Sequence, residues 1–338
     1  VLVTRTRIVG VLVGCLADLA LSDPKRGHPV AAFGDAAAWL ERFTYRDAKI
    51  AGALHVSLAV GTVGLIGTAV QRATTHRDPL WPIAATATAT WVALGGTSLA
   101  RTGLDMARLL DRNDIDAARQ LLPSLCGRDP SRLDGSGLTR AALESVAENT
   151  SDAQVAPLLW ASTSGVPGVL MYRAINTLDA MIGHRSPRYI RFGWAAARLD
   201  DLANYVAARV TAVLVVVCAP LVGGSALGAV AAWHRDAVRH PSPNAGVVEA
   251  AFAGALGVRL GGPTQYHHEL QIRPTLGDGR QPGAADLRRA VALSRIVQLG
   301  AAALLAALSS VRPGGRVRVD GDHCAAGAPA RHTQRRRP

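Results

Sequence analysis

The chain is 338 residues long, 49% hydrophobic and only 18% charged, with a mean hydropathy of +0.17 and a formal net charge of +12. Almost all of the positive charge is arginine scattered between apolar stretches, and aromatics make up 4%, so no aromatic-basic platform for single strands is visible and nucleic acid is not an expected partner. Cys15, Cys126, Cys218 and Cys324 lie far apart with no CxxC pair, which argues against a zinc site or a disulfide framework.

A short apolar segment, 8–21, comes first and carries Asp18. Four longer segments, 51–70, 80–100, 210–233 and 290–310, are apolar over the roughly 20 residues that a bilayer requires. Their apolar content is mostly Ala, Val and Leu, which suits helices packed through small residues. Segment 155–171 is shorter and is interrupted by Pro157 and by Gly165-Val166-Pro167-Gly168, so it reads as a segment that dips into the membrane rather than crossing it. Beyond Val311 the sequence is Gly-, Pro- and Arg-rich without apolar periodicity. The expectation is an all-α, polytopic integral membrane protein with about 4–6 membrane segments plus amphipathic helices. Residues 1–311 would form one domain and 312–338 a disordered basic tail.

The polar residues cluster. In "ALESVAENTSDAQVAPLLW" (142–160), Glu144, Glu148 and Asp152 recur every four residues. On a helix that spacing stacks three like charges on one face, which calls for a cation opposite them. "YRAINTLDAMIG" (172–183) has an apolar side and a side with Tyr172, Arg173, Asn176 and Asp179. "RLDDLANYVAAR" (198–209) repeats the design, with Asp200 and Asn204 neighbours at i,i+4 and Arg198 and Asp201 at i,i+3. Solvated helix faces are usually Lys, Glu and Gln. Short Asn and Asp are poor helix formers, and their recurrence suits an ion or a fixed polar ligand. In "HPSPNAGVVEAAFAGALGVRLGGP" (240–263), Ser242 or Asn244 is placed to cap a helix from about Ala245 that carries Glu249 on its second turn. The following "GGPTQYHHELQIRPTLGDGR" reads as a Gly/Pro-punctuated loop; its adjacent His267 and His268 point apart, against a two-histidine metal site. No Walker A or GxGxxG nucleotide motif is present.

Taken in order, "ADLALSDPKRGHPVAAFG" (17–34), "ESVAENTSDAQVAPLLW" (144–160), 172–209, "HPSPNAGVVEAAFAGALGVRLGG" (240–262) and "RPTLGDGR" (273–280) resemble the adenosylcobinamide-phosphate synthase family (CobD/CbiB), membrane proteins of cobalamin biosynthesis. The likeness runs from about residue 10 to 310 and is loose between 51 and 135. It implies an amide-forming carbon–nitrogen ligase that joins adenosylcobyric acid to (R)-1-amino-2-propanol phosphate, giving adenosylcobinamide phosphate. It also implies ATP and Mg²⁺, a multi-pass place in the cell membrane in contact with lipid, a site on the cytoplasmic side, and other corrinoid-pathway enzymes as partners. The rival expectation is a non-catalytic regulatory or scaffold protein of the same fold, like the AmpE-type relatives.

The residue roles expected within that reading are as follows. Glu148, Asn149, Asp152, Asn176, Asp179, Asp200, Asp201 and Asn204 are the candidate catalytic set, with Asp152, Asp179 and Asp200 as magnesium ligands. Arg173, Arg185, Arg209, Asn244 and Glu249 are the candidate substrate ligands. Arg209 is the preferred phosphate ligand, and the cation opposite Glu144, Glu148 and Asp152 is either magnesium or an arginine among Arg173, Arg185, Arg198 and Arg209.

Overall fold

The computed structural model describes residues 2–22, 27–184, 186–265 and 270–310. It is a helical assembly with one small β-hairpin. Four helical stretches are long and apolar enough to cross a membrane: Lys49–Thr75, Leu80–Asp111, Trp194–Val222 and Ala284–Ser309. On the first of these, Leu54, Leu58, Leu65 and Ile66 are exposed, an outer face that suits lipid. The elements in chain order are α1 (Leu2–Leu21), α2 (Pro29–Thr44), α3 (Lys49–Thr75), α4 (Leu80–Ala93), α5 (Gly96–Asp111) and α6 (Ile115–Leu121). Then follow α7 (Gly135–Thr150), α8 (Ala156–Leu178), α9 (Trp194–Cys218), α10 (Ala226–Asp236), α11 (Ala245–Leu256), β1 (Leu260–Gln265), β2 (Leu270–Leu276) and α12 (Ala284–Ser310).

Two of the expected apolar segments are broken. Segment 80–100 changes direction where Leu94 turns extended (ψ 159°), so α4 ends there and α5 starts afresh at Gly96. Segment 210–233 ends at a short 3₁₀ turn after α9; Gly223 adopts the left-handed region (φ 68°, ψ 27°) and α10 begins beyond it. α10 then packs on α11 at a crossing of small residues, where a Cβ on Gly254 would lie 2.1 Å from the Gly228 carbonyl oxygen. The apolar run is long enough to span, but its Pro-Leu-Val-Gly-Gly punctuation lets the chain reverse. The stretch read as a loop after Gly261 also differs. β1 and β2 pair antiparallel across it, with a bulge between Leu260 and Gly262. Glycine and proline made that stretch read as irregular, yet glycine at a bulge and proline in a two-stranded ribbon are both allowed. His267 and His268 lie outside the described residues, as do the expected tail and Arg185.

The decisive feature is the reversal inside α8. α7 continues through one wider π turn (Ser151–Val155) into the first half of α8. At Gly165 the backbone takes φ 69° and ψ −152°, a region essentially open only to glycine, and the chain turns back. Arg7 donates from Nη1 to the Thr163 carbonyl (2.7 Å), and the Val166 N–H donates to Gln71 Oε1 (3.1 Å), so α1 and α3 hold the tip. Trp160 stacks on Tyr172 across the two arms at 6.4 Å between centroids, and the Tyr172 hydroxyl donates to the Asp152 carbonyl oxygen at 2.7 Å. The returning arm ends in a second π turn, Asp179–Gly183. The expected dip is therefore a helical hairpin, and it brings Asp152 and Asp179 to the same end.

Gly165→Ala should destabilise the fold. The φ/ψ cost alone is about 1–3 kcal/mol, and the new Cβ would sit 2.2 Å from Gln71 Oε1. Gly61→Ala, where a Cβ meets nothing within 4 Å, is the control. Thermal unfolding in detergent should show a lower midpoint for the first substitution alone; equal midpoints would contradict a strained reversal at Gly165.

Candidate active site

The base of the α8 hairpin, the start of α9, the segment before α11 and strand β2 enclose a cavity of about 740 Å³. Glu148, Asp152, Asp179, Asp200 and Asp201 line it, so one wall carries five carboxylates. Arg198, Arg273, His184 and His240 also line it.

Amides rather than cations hold the acidic wall in place. Asp200 Oδ1 accepts from Asn204 Nδ2 at 3.0 Å and from Asn176 Nδ2 at 3.3 Å. A carboxylate only accepts, so both amides are oriented by that contact, and Asn204 Oδ1 is turned to the Tyr172 hydroxyl at 2.8 Å. That hydroxyl has one proton and shares it between Asn204 and the Asp152 carbonyl oxygen. The hydrogen bonds thus tie both arms of the hairpin to α9. Among the described residues, no ion pair is made by Glu148, Asp152, Asp179 or Asp200. Arg198 pairs with Asp201 at 3.2 Å, on an exposed edge where such a pair contributes little. Burial pushes the Asp152 carboxyl well above the usual range, and the charges of Asp200, Glu148 and Asp179 push it further. The same causes, burial first and Asp200 next, lift Asp179 to about 7.

Other expected site residues lie elsewhere. Glu144 faces neither the cavity nor solvent: it is buried in an ion pair with Arg128, and its Oε1 accepts the Gly261 N–H at 2.7 Å. Burial raises its carboxyl, but Arg128, the Gly261 N–H and Arg140 together outweigh that and hold it below its ordinary value. Glu144 is thus an anchor for the β-hairpin, so the three stacked carboxylates share no single cation. Asn149 turns to its own helix, donating to the Ser145 carbonyl at 3.0 Å. Arg173 donates to Asn176 Oδ1 at 3.4 Å and lines a separate apolar cavity of about 170 Å³. Arg209, the expected phosphate ligand, is not in the lining. Its guanidinium donates to Asn244 Oδ1 (2.8 Å), the Pro243 carbonyl (3.1 Å) and the Tyr205 carbonyl (2.9 Å), and stacks on the Tyr205 ring. Asn244 lines the cavity, but its Nδ2 donates to the Asp201 carbonyl at 2.7 Å, so both ends of its amide serve to position α9 against α11. Ser242, rather than Asn244, caps α11 by accepting the Ala245 N–H at 3.1 Å. Glu249 is fully buried behind the wall, 3.9 Å from Arg273. His240 and Arg273 were not among the expected site residues. His240 belonged to a stretch whose visible signal was helix capping, and Arg273 to one that read as a loop.

What the acidic wall can do follows from its donors. Hard carboxylate oxygens select Mg²⁺-like cations or an ammonium group. Among the described residues, no three His, Cys, Asp or Glu groups converge closely enough to hold a metal unaided. Magnesium commonly binds through one or two carboxylates with the remaining positions taken by phosphate and water, and an open acidic wall fits that mode.

The family model described as "CobD/Cbib protein" matches residues 11–294. A Mycobacterium tuberculosis protein named "Cobalamin biosynthesis protein CobD" is 75% identical over 300 residues, covering 89% of this chain and 95% of the relative. Proteins of the same name from Geobacter metallireducens (42% over 305 residues; 89% and 95% covered) and Rhodobacter capsulatus (43% over 293; 84% and 91%) are also similar. No solved structure matches.

The raised carboxyls make stability depend on pH. Between the ordinary Asp value, 3.8, and about 7, the folded chain holds a proton at Asp179 that the unfolded chain has lost. Stability is therefore greatest at the acid side of that window and falls as pH rises through 7. In metal-free detergent solution the unfolding midpoint should fall from pH 5 to 8, and Asp179→Asn should flatten the fall. A midpoint that rises over this window and ignores the substitution would contradict the reading.

Proposed function

The chain belongs to the CobD/CbiB family of cobalamin biosynthesis proteins, and from that premise we propose that its cavity joins adenosylcobyric acid to (R)-1-amino-2-propanol phosphate in an ATP-dependent amide ligation, giving adenosylcobinamide phosphate. The observation that carries the proposal is the acidic wall: four carboxylates with no paired cation among the described residues, one of them, Asp200, held by two amides, lining a cavity of about 740 Å³. In this reading the macrocycle would sit at the mouth and one propionate arm would reach in.

A carboxylate and an amine do not condense unaided in water, because the carboxylate oxygen is a poor leaving group. ATP as co-substrate would convert that oxygen into a phosphate leaving group, and Mg²⁺ would neutralise charge on the transferring phosphoryl group. Asp200 is the best-placed metal ligand on this wall, since Asn176 and Asn204 fix its direction without cancelling its charge. Asp152 would be the second carboxylate at the cation, with phosphate and water in the remaining positions. Asp179 fits a different task. The amine arrives as ammonium and must lose a proton before it attacks. A carboxyl lifted to about 7 takes that proton far better than an ordinary aspartate would. Asp201, paired with Arg198, sits at the exposed edge and would help to hold the ammonium end of the substrate. The cytoplasmic side, where ATP is available, is the side on which this site would open.

Purified chain should convert adenosylcobyric acid, aminopropanol phosphate and MgATP into a corrinoid whose mass has grown by the amide-linked amine. Asp179→Ala should lower turnover by roughly 10²–10⁴-fold, and Asp200→Ala should lower turnover and raise the Mg²⁺ needed for half-maximal rate. Wild-type protein that gives no mass increase would favour a non-catalytic regulatory or scaffold role, and near-normal turnover in both variants at limiting Mg²⁺ would remove Asp179 and Asp200 from the reaction.

A further inference from the structure

Ile190 and Trp194 line the cavity, yet both are also exposed on the outside of the protein. They lie at the turn into α9, and contacts tie that turn to the end of α2 and the start of α3. Arg188 Nη2 donates to Glu41 Oε1 at 2.8 Å, and the Tyr45 hydroxyl donates to the Arg188 carbonyl at 3.1 Å. Lys49 Nζ lies 5.1 Å from the centre of the Trp194 ring. Trp39 and Phe43 on α2 and Ile50 on α3 are exposed as well. The elements joined at the mouth thus carry five large apolar side chains, each between 44% and 85% exposed. An apolar set of this size calls for something to cover it.

The form of the collar matches lipid at the membrane surface. α2 has 16 residues, fewer than a bilayer crossing needs. It buries Ala37 and Glu41 against the protein and leaves Trp39 and Phe43 outside, ring to ring at 4.9 Å. That is the arrangement of a helix lying along an interface. Ile50 precedes Leu54 and Leu58 by four and eight residues, so it heads the exposed stripe of α3, a helix long and apolar enough to cross. The collar is therefore continuous with a lipid-facing surface. Along 29–50 and 186–194 the exposed cations are Arg42, Arg46, Lys49, Arg188 and Arg191, against the exposed acids Asp35 and Asp47. This excess of positive charge complements headgroup phosphates.

The far end of α3 repeats the pattern, with Arg77 over the exposed Trp81 ring at 5.7 Å. The 27 residues between the two ends span about 40 Å at the helical rise. A bilayer with its headgroup layers is about 40–45 Å thick. Paired aromatic and cationic anchors at that separation mark the two membrane surfaces.

We propose that the cavity opens in the headgroup layer of the membrane, with Trp39, Phe43, Ile50, Ile190 and Trp194 as a collar seated in that layer. The neighbouring arginines and Lys49 rest on headgroup phosphates, and α2 lies along the surface as an anchor. A ligand then reaches the carboxylate wall along the membrane surface, past Ile190 and Trp194. The inference concerns where the site opens and does not depend on which reaction it performs.

Fluorescence quenching tests it, with the full chain in nanodiscs of phosphatidylcholine and phosphatidylglycerol, which leave both faces open to water. The lipids carry a nitroxide either at the headgroup or near the end of the acyl chain, and iodide is the quencher in the water. The emission lost on Trp39→Phe and on Trp194→Phe reports each ring. Both signals should be quenched at least about twofold more by the headgroup nitroxide than by the deep one. Ile190→Trp adds a ring at the mouth and should show the same order, which covers a Trp194→Phe chain that does not fold. Equal or stronger quenching by the deep nitroxide, or quenching by iodide alone, would overturn the proposal. So would protection from all three quenchers, as a second copy or another protein seated on the collar would give.

Discussion

The site depends on how one buried carboxylate is held. Asp200 sits on a helix of an apolar protein and shares its cavity with three other carboxylates that carry no paired cation among the described residues. An arginine there would fix its direction but cancel its charge. Asn176 and Asn204 fix the direction and leave the charge intact, because an amide donates a hydrogen bond without carrying a net charge. Tyr172 extends the same chain of contacts to the backbone of Asp152. Three segments, the turn with Asp152, the returning arm of α8 and α9, are thereby locked around one cavity by uncharged donors. This explains why short Asn and Asp recur on helix faces where Lys and Glu would be better helix formers.

The network can close only because the chain reverses twice. Without the turn at Gly165, the arms carrying Asp152 and Asp179 would end on opposite faces of the apolar layer. Without the break at Gly223, Asn244 would be carried away from Asp201, to whose carbonyl it donates. Both reversals rest on glycine at positive φ. The π turns at Ser151–Val155 and Asp179–Gly183 sit at the base of the two arms, beside the cavity. A π turn interrupts helical register, and such interruptions are frequent at functional sites. Here each π turn contains a carboxylate of the wall.

Helical periodicity was enough to find the polar faces of 172–183 and 198–209, the capped start of α11 and the segment that dips and returns. These are local properties, set by spacing along one helix or by glycine and proline within it. Partner choice was not legible. Glu144 meets Arg128 across the loop that precedes α7, and Arg209 is occupied by a backbone carbonyl and an amide from the segment before α11. Neither contact leaves a trace in spacing. The β-hairpin was hidden for a different reason: its glycines and prolines signal turns, and they mask the strand pattern on either side of the reversal. Arg273, which β2 carries to the cavity, was hidden with it.

Charges in this cavity are arranged for occupancy rather than for the stability of the empty protein. Glu148, Asp152, Asp179 and Asp200 repel one another in a poorly solvated place, and the raised carboxyls of Asp152 and Asp179 record that repulsion. A core selected only for stability would replace them with apolar side chains. Among the described residues the wall lacks the cation that a metal ion or an ammonium group would bring. Departures from local stability of this kind concentrate at functional sites. A bound cation would relieve that repulsion, so its binding and the stability of the loaded protein would rise together.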